Sequence, residues 1–491
     1  MNQFYTATDH FVLLPAIMLA LFGCAILLFD FLAAKTAHHR TWVLLFSLTG
    51  LGFTAWSLFR QHRFLAENQA QQLVAFGGSL VLDRFGLFFN WMFLAAAVIV
   101  ALISYRFLQS AGGPAGEYYA LLLLAECGMY FLAAGADLIT VFIGLELMSI
   151  CFYVLVGFLR DEKRSNEAAI KYLLLGAFSS GFLLYGFSLF YGLTGSTLIS
   201  AIGPATAARG ASDPIVFLAV ATAVVGLLFK VAAVPFHMWA PDAYEGAPVP
   251  ITAYLSVASK AAAFAFLVRL LVGPLASVRE SWEPILILVA VATLTLGNLA
   301  AISQSNIKRL LAYSAISHAG YVLLGVIAGN ETGIHGVAVY ILVYTFMTLG
   351  AFLVVAAMRR EGVPGEDIDD FTGLIHSHPA YAIWMLIFLV SLAGIPPTAG
   401  FLGKYYIFLS LLETGHYILA VIATLYVAVS LYYYFRIVRS MFLGEWNSGQ
   451  SLVTGFGMRV ALAVTGILTV VIGIYPEPFL GFANIIGRGG G

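Results

Sequence analysis

Residues 226–239 read GLLFKVAAVPFHMW. The stretch is apolar apart from Lys230 and His237, and Pro235 follows Lys230 by five positions. A lysine at the centre of a membrane helix costs roughly 2.5–3.5 kcal/mol. Proline lacks the amide hydrogen that the carbonyl of Val231 would accept, and its ring crowds that carbonyl. The helix must therefore break just beyond Lys230. Both features at one place require surroundings that solvate them inside a membrane.

Composition puts the segment there. Of 491 residues, 61% are hydrophobic and 10% charged, and mean hydropathy is +0.93. Soluble domains carry about a quarter charged residues. The chain reads as an all-α polytopic membrane protein. At about 20 apolar residues per span, it holds fourteen, at about 11–34, 41–60, 85–107, 118–135, 137–160, 168–193, 214–238, 248–272, 284–303, 307–328, 334–358, 380–411, 415–443 and 456–480. The opening MNQFYTATDH lacks the basic region of a cleaved signal, so the first span is expected to stay in the mature protein.

Some functions are excluded early. A net charge of −1 gives no basic field for nucleic acid. No GxGxxG or P-loop marks a nucleotide site. Cys24, Cys127 and Cys151 lie in apolar runs without metal-ligand spacing, so no metal or cluster is expected on this chain.

Loop charges set the orientation. With the N-terminus outside, the cytoplasmic connections hold thirteen basic residues: Lys35, Arg40, Arg106, Arg160, Lys163, Arg164, Lys308, Arg309, Arg359, Arg360, Arg436, Arg439 and Arg459. The other side holds seven: Arg60, Arg63, Arg84, Arg209, Arg269, Arg279 and Arg488. The positive-inside bias favours both termini outside. The longest polar stretch, about 359–378, is a cytoplasmic linker before span twelve.

Lys171, Lys230, Lys260 and Lys404 do not sit in loops. Lys171 is close enough to the start of span six to snorkel. The other three together cost on the order of 8–10 kcal/mol before pairing or hydration. Such residues face a bundle interior or a wet cavity, usually with a partner. Glu146, mid-span five, is the natural partner for Lys230, as a proton switch or as a static ion pair. Polar residues recur at helical spacing nearby: Thr252, Ser256 and Lys260; Ser314, His318 and Tyr321; Tyr340, Tyr344 and Thr348. Each set shares one helix face. Ordinary interhelical hydrogen bonding accounts for one such stripe; three around buried lysines indicate a hydrated seam, with His318 able to titrate near neutral pH. Glu126 is also deep in its span, to pair or stay protonated, and Asp30 is interfacial. His237 and Asp242 follow the proline and are expected to bond freed backbone.

A second break lies at LAGIPPTAGFLGKYY, residues 392–406. Pro396 and Pro397 leave the carbonyls of Leu392 and Ala393 without helical donors. Two interrupted spans, each with a lysine, point to an internally repeated transporter with its ion path at the breaks. The units are spans four to eight (118–275) and nine to thirteen (280–445), between residues 1–117 and 446–491. Five spans each, an odd number, makes the units inverted.

The segments GLELMSICFYVLVGF, LLFKVAAVPFHMWAPDAYEGAPVP, SKAAAFAFLVRL, QSNIKRLLAYSAISHAGY and SLAGIPPTAGFLGKYYIF together resemble the antiporter-like subunits of respiratory complex I, most of all the N type, over roughly 118–445. The resemblance implies fourteen helices with two inverted five-helix repeats, and a proton channel in an NADH:quinone oxidoreductase. The family's key residues fall on Glu146, Lys230, Lys260, His318 and Lys404. Lys404 distinguishes the N type from the M type, which carries a glutamate there, and the length excludes the L type. Glu126 departs from the family pattern. The implied partners are the M-type subunit, the small K-type subunit and the lateral helix of the L-type subunit, in a bacterial inner membrane with the N-terminus periplasmic. FMN, iron–sulfur clusters and quinone are implied on other subunits and none on this chain. A multisubunit cation/proton (Mrp-type) antiporter or a membrane-bound hydrogenase subunit is the nearest rival; a purely structural membrane subunit or a quinone-binding subunit is a rival of another class. The absence of a carboxylate cluster favours H⁺ over Na⁺.

Overall fold

A computed structural model describes residues 5–33, 38–359, 365–444, 452 and 454–484. Lys35, Arg360 and Arg488, used in the orientation count, and parts of the 359–378 linker and of the 446–491 segment lie outside the described residues. Among the described residues, twelve helices are long and apolar enough to cross a membrane. The first six are α1 (Ala7–Leu32), α2 (His39–Glu67), α3 (Arg84–Ala111), α4 (Ala115–Ala134), α5 (Leu138–Val156) and α6 (Lys163–Thr194). A short α7 (Ile202–Arg209) precedes the interrupted span seven, made of α8 (Pro214–Lys230) and α9 (Trp239–Gly246). Span eight joins α10 (Val249–Tyr254) to α11 (Lys260–Leu271) through one π-helical turn, Leu255–Ser259. Then come α12 (Arg279–Ile302), α13 (Ile307–Ala328) and α14 (Glu331–Ala357). A short α15 (Leu374–Ser377) leads to span twelve, which is α16 (Pro379–Ala393) and α17 (Ala399–Glu413). Last are α18 (Tyr417–Leu443), α19 (Phe456–Ile474) and a short α20 (Glu477–Phe482).

All fourteen expected spans are accounted for, and both expected breaks are present. α8 ends at Lys230, where the break before Pro235 was expected. Span twelve, expected over 380–411, is two helices divided at the second expected break. A hairpin was not foreseen: β1 (Gln72–Ala75) pairs antiparallel with β2 (Leu80–Asp83) between spans two and three. Its turn, FGGS, puts Gly77 at φ 61° and Gly78 at φ 103°, conformations that glycine alone adopts cheaply.

Spans eight, ten and eleven form the core of the bundle, buried along nearly their whole length, whereas α1, α2, α6, α18 and α19 are mostly peripheral. The peripheral helices present bare apolar side chains such as Phe31, Phe178, Ile418 and Leu425. That suits lipid or a protein neighbour, because helices satisfy their own backbone.

Side-chain oxygens start many of the spans. Asp137 caps α5 through the amides of Ile139 and Thr140, and Asp213 caps α8 ahead of Pro214. Asp83 caps α3 and also receives Arg269 of α11 in a bidentate pair, at 2.9 and 3.0 Å. The same guanidinium donates to the carbonyl of Ala133 at the end of α4. One side chain thus ties span eight to the hairpin, span three and span four. Lys308, counted above as a loop charge, is instead 2% exposed in the first turn of α13, donating to the carbonyls of Glu245 and Ala247 and to Glu366.

Arg269 and Asp83 are 16% and 19% exposed, so removing one partner leaves a largely buried charge. Arg269→Ala is expected to cost about 3 kcal/mol, the low end for breaking a buried pair. Arg269→Lys, without the planar fork, should fall between that variant and the parent. Thermal unfolding in detergent reads both, and an unchanged midpoint in Arg269→Ala would contradict this role.

Candidate functional site

The first break is built around Lys230, the last residue of α8 and 2% exposed. Beyond it the chain turns through Ala232 at φ 60° and a cis Val234–Pro235 bond. The backbone released here finds side-chain partners: Trp239 Nε1 donates to the carbonyl of Phe229 at 2.8 Å, and Thr293 Oγ1 of α12 accepts from the amide of Val234 at 2.9 Å. Lys230 Nζ donates to Ser149 Oγ at 2.6 Å and to the Tyr153 hydroxyl at 3.4 Å, both on α5. Ser149 spends its own hydrogen on the carbonyl of Leu145 and so accepts from the lysine.

The expected Glu146–Lys230 ion pair is not formed. Glu146 is half-buried and accepts from Ser180 of α6 at 2.5 Å. Glu146, Ser149 and Tyr153 nevertheless share one face of α5, since steps of three and four residues return to the same side. A change of partners by one helical turn would bring the carboxylate to the lysine. Ser149 and Tyr153 were missed, although their spacing from Glu146 was a readable stripe.

At the second break, Lys404 of α17 is 4% exposed. Its Nζ donates to the carbonyls of Ala393 at 2.7 Å and Leu392 at 3.1 Å. These are the two carbonyls that Pro396 and Pro397 deprive of helical donors. Gly394 sits at φ 84°, where a Cβ would meet Lys404 Cδ at 2.7 Å. A Cβ on Gly400 would lie 1.8 Å from the carbonyl oxygen of Ser391. The glycines let the broken backbone and the lysine close on each other.

Lys260 and His318 lie between the breaks. Lys260, 3% exposed, donates to the carbonyl of Ala315 on α13 at 2.8 Å, and its Nζ is 5.7 Å from the ring centre of Tyr244. A cavity of about 20 Å³ separates it from His318, with Ala315, Tyr340 and Tyr344 among its walls. That is room for about one water molecule. His318 Nδ1 is 2.6 Å from the Tyr340 hydroxyl, and Nε2 is 3.1 Å from that of Tyr434. In the neutral ring, one nitrogen donates and the other accepts. Tyr434 also bonds Ser314 at 2.5 Å. Tyr321 donates to the carbonyl of Ala423, and its ring centre lies 5.0 Å from Lys404 Nζ. Tyr434 was missed because it sits in the run YYY, of which Tyr432 is 63% exposed while Tyr433 and Tyr434 are buried. Tyr426, Ser430 and Tyr433, spaced by four and three, mark the inward side of that helix.

Other expected site residues lie elsewhere. Ser256 bonds the carbonyl of Ala253 in its own helix, because the π-helical turn at 255–259 breaks the four-residue stripe drawn through Lys260. Asp242 does not bond freed backbone. It pairs with Lys171 at 2.9 Å and Arg309 at 2.7 Å in a surface cluster with Glu167 and Glu245, where two cations and three carboxylates meet. His237 is half-buried at the break itself, against the backbone of Pro235, with no hydrogen-bond partner for Nδ1. Glu126 is 3% exposed, and its Oε2 likewise lacks a partner.

Tyr434→Phe removes a hydroxyl shared by His318 and Ser314 and leaves two buried groups short of a partner. A loss of about 1–3 kcal/mol is expected on thermal unfolding. Tyr432→Phe, on the exposed side of the same helix, should change stability by less than about 0.5 kcal/mol. Equal effects of the two would contradict the hydrogen-bonded node.

Known proteins resemble this chain in sequence and fold. Residues 135–430 match the family described as NADH:quinone oxidoreductase/Mrp antiporter, TM. NADH-quinone oxidoreductase subunit N 2 of Solibacter usitatus is 66% identical over 98% of each chain. Among solved structures, a chain of respiratory complex I from Thermus thermophilus has a TM-score of 0.78 at 31% identity, over 96% of this chain and 99% of that one. A chain of the Mrp complex from Dietzia shares the fold alone, with a TM-score of 0.84 at 21% identity over 98% of this chain and 97% of that one. The protein therefore belongs to the NADH:quinone oxidoreductase/Mrp antiporter family of membrane subunits, on its N-subunit branch.

Proposed function

We propose that this chain carries protons through the membrane arm of an NADH:quinone oxidoreductase, along Glu146, Lys230, Lys260, His318 and Lys404. The kinship with N subunits supports the oxidoreductase over the Mrp-type antiporter or hydrogenase alternative. The observation that carries the route is the common construction of its ends: a membrane-depth helix break with a buried lysine beside it. Burial disfavours a charged amine, whereas carbonyls, hydroxyls and a nearby carboxylate favour it. A small movement of either set of partners therefore decides whether the proton stays.

In this reading Glu146 leaves Ser180 to approach Lys230, and its return to Ser180 releases the Lys230 proton inward. The proton passes by way of water and Tyr244 to Lys260, through the small cavity to His318, and past Tyr340 or Tyr434 towards Lys404. Ser256, Ser314, Tyr321 and Tyr344 shape this seam; Glu126, His237 and Asp242 are accessory. The two breaks belong to inverted repeats at 118–275 and 280–445. The N-terminus faces the periplasm of a bacterial cell. NADH, FMN, iron–sulfur and quinone chemistry stays on other subunits. The neighbours are the M-type and K-type subunits and the lateral helix of the L-type subunit, and the bare apolar faces of α5 and α6 suit such packing.

Lys230→Ala removes the first amine and leaves Ser149 with its own backbone bond. In vesicles containing the assembled complex, outward proton flux during quinone reduction should fall several-fold. A normal flux per quinone reduced would overturn the route.

A further inference from the structure

The chain leaves open where a proton held at Lys404 meets the outer water. α17 runs from the break to Glu413, nine residues past Lys404, which is about 14 Å along the axis. The turn that follows carries Thr414 and His416. His416 Nε2 is 3.0 Å from Glu283 Oε1 on α12. Arg279, one turn earlier on α12, grips both oxygens of Glu283 at 2.8 and 3.0 Å. The same guanidinium donates to the carbonyls of Ile327 and Ala328, where α13 ends. Beside it, Asn330 donates to Glu413 at 2.8 Å. These groups gather the outer ends of the helices that carry His318, Lys404 and Tyr434.

The hydrogen bonds of His416 are informative. The Thr414 hydroxyl lies 2.9 Å from the carbonyl of Ser410 and 2.8 Å from His416 Nδ1, and when it donates to the carbonyl it accepts from Nδ1–H. With Nδ1–H spent on Thr414, a neutral ring turns a bare Nε2 at the Glu283 carboxylate. A second proton at Nε2 removes that conflict and makes a charge-assisted bond. Nε2 is then the atom beside the carboxylate that can take and give up a proton. The pocket also reaches the surface of the chain, His416 and Glu283 being 20% and 22% exposed. The other histidine–carboxylate pair among the described residues, His39–Asp30, lies at the opposite face, after span one rather than after span twelve.

We propose that His416, held by Glu283 and Arg279, is the proton-release group of this chain: it takes the proton leaving Lys404, by water past Tyr321 and the Ala423 carbonyl, onto Nε2 and passes it to the outer water. The titratable and charged groups that meet it are Glu283 and, through Glu283, Arg279. The proposal rests on the proton-carrying reading above.

The test uses the whole complex in vesicles with the outer pH varied. His416→Gln keeps an amide donor for Glu283 but cannot titrate; Glu283→Gln removes the countercharge. Both are expected to keep quinone reductase activity in the uncoupled complex. Outward proton flux should fall several-fold in each, and in His416→Gln its dependence on outer pH should flatten. A parent-like flux and pH profile in His416→Gln would overturn the proposal, leaving the cluster a helix-end staple. Lys404→Ala, run alongside, separates the two failures: if it too pumps normally, the route itself is wrong, and if it alone loses flux, only the release group is.

Discussion

A lysine ammonium held by the carbonyls of a broken membrane helix is the interaction on which this architecture depends. Each is costly alone. A buried amine lacks water, and freed carbonyls at membrane depth lack donors. At Lys404 the two deficits cancel, because the carbonyls of Leu392 and Ala393 point at the amine. Glycine on either side of Pro396 and Pro397 removes the side chains that would keep them apart. The span survives as two half-helices with a charge between them.

The two halves reach this balance differently. At span seven the Phe229 carbonyl accepts from the Ala232 amide and from Trp239, and Lys230 leans on hydroxyls of α5 instead. Hydroxyls rotate and exchange partners more easily than backbone carbonyls move. The first lysine is therefore the adjustable one, within a helical turn of Glu146, and the last is the more firmly seated. Between them, Lys260 and His318 sit in the fully buried core, where side chains leave room for about one water. The difference suits a chain of sites that is loaded from one end and discharges at the other.

Much of this was legible in the sequence, and for physical reasons. A bilayer demands long apolar runs, so all fourteen spans could be read from length and hydropathy. Ionisable residues inside those runs are rare and costly, so Lys230, Lys260, Lys404 and Glu146 stood out. The prolines located the breaks and even the orphaned carbonyls. What was not legible was which partner each amine takes. That depends on how neighbouring helices rotate, and a single π-helical turn at 255–259 shifted Lys260 off the stripe assumed for uniform helix. The Glu146–Lys230 pair was inferred from charge alone, and the hydroxyls of Ser149, Tyr153 and Ser180 displaced it. The β1–β2 hairpin was hidden because its four-residue strands fall below the length at which apolar patterning speaks, although the FGGS turn was in plain view.

The central claim is that Lys404 gives up its proton and does not merely hold two carbonyls. Arginine tests it directly, since its guanidinium can bond the same carbonyls but does not deprotonate in proteins. The measurement is outward proton flux per quinone reduced in vesicles with the assembled Lys404→Arg complex. The account predicts an assembled complex with flux reduced several-fold. Flux at the parent level would show that a fixed charge at this position suffices, and would contradict it.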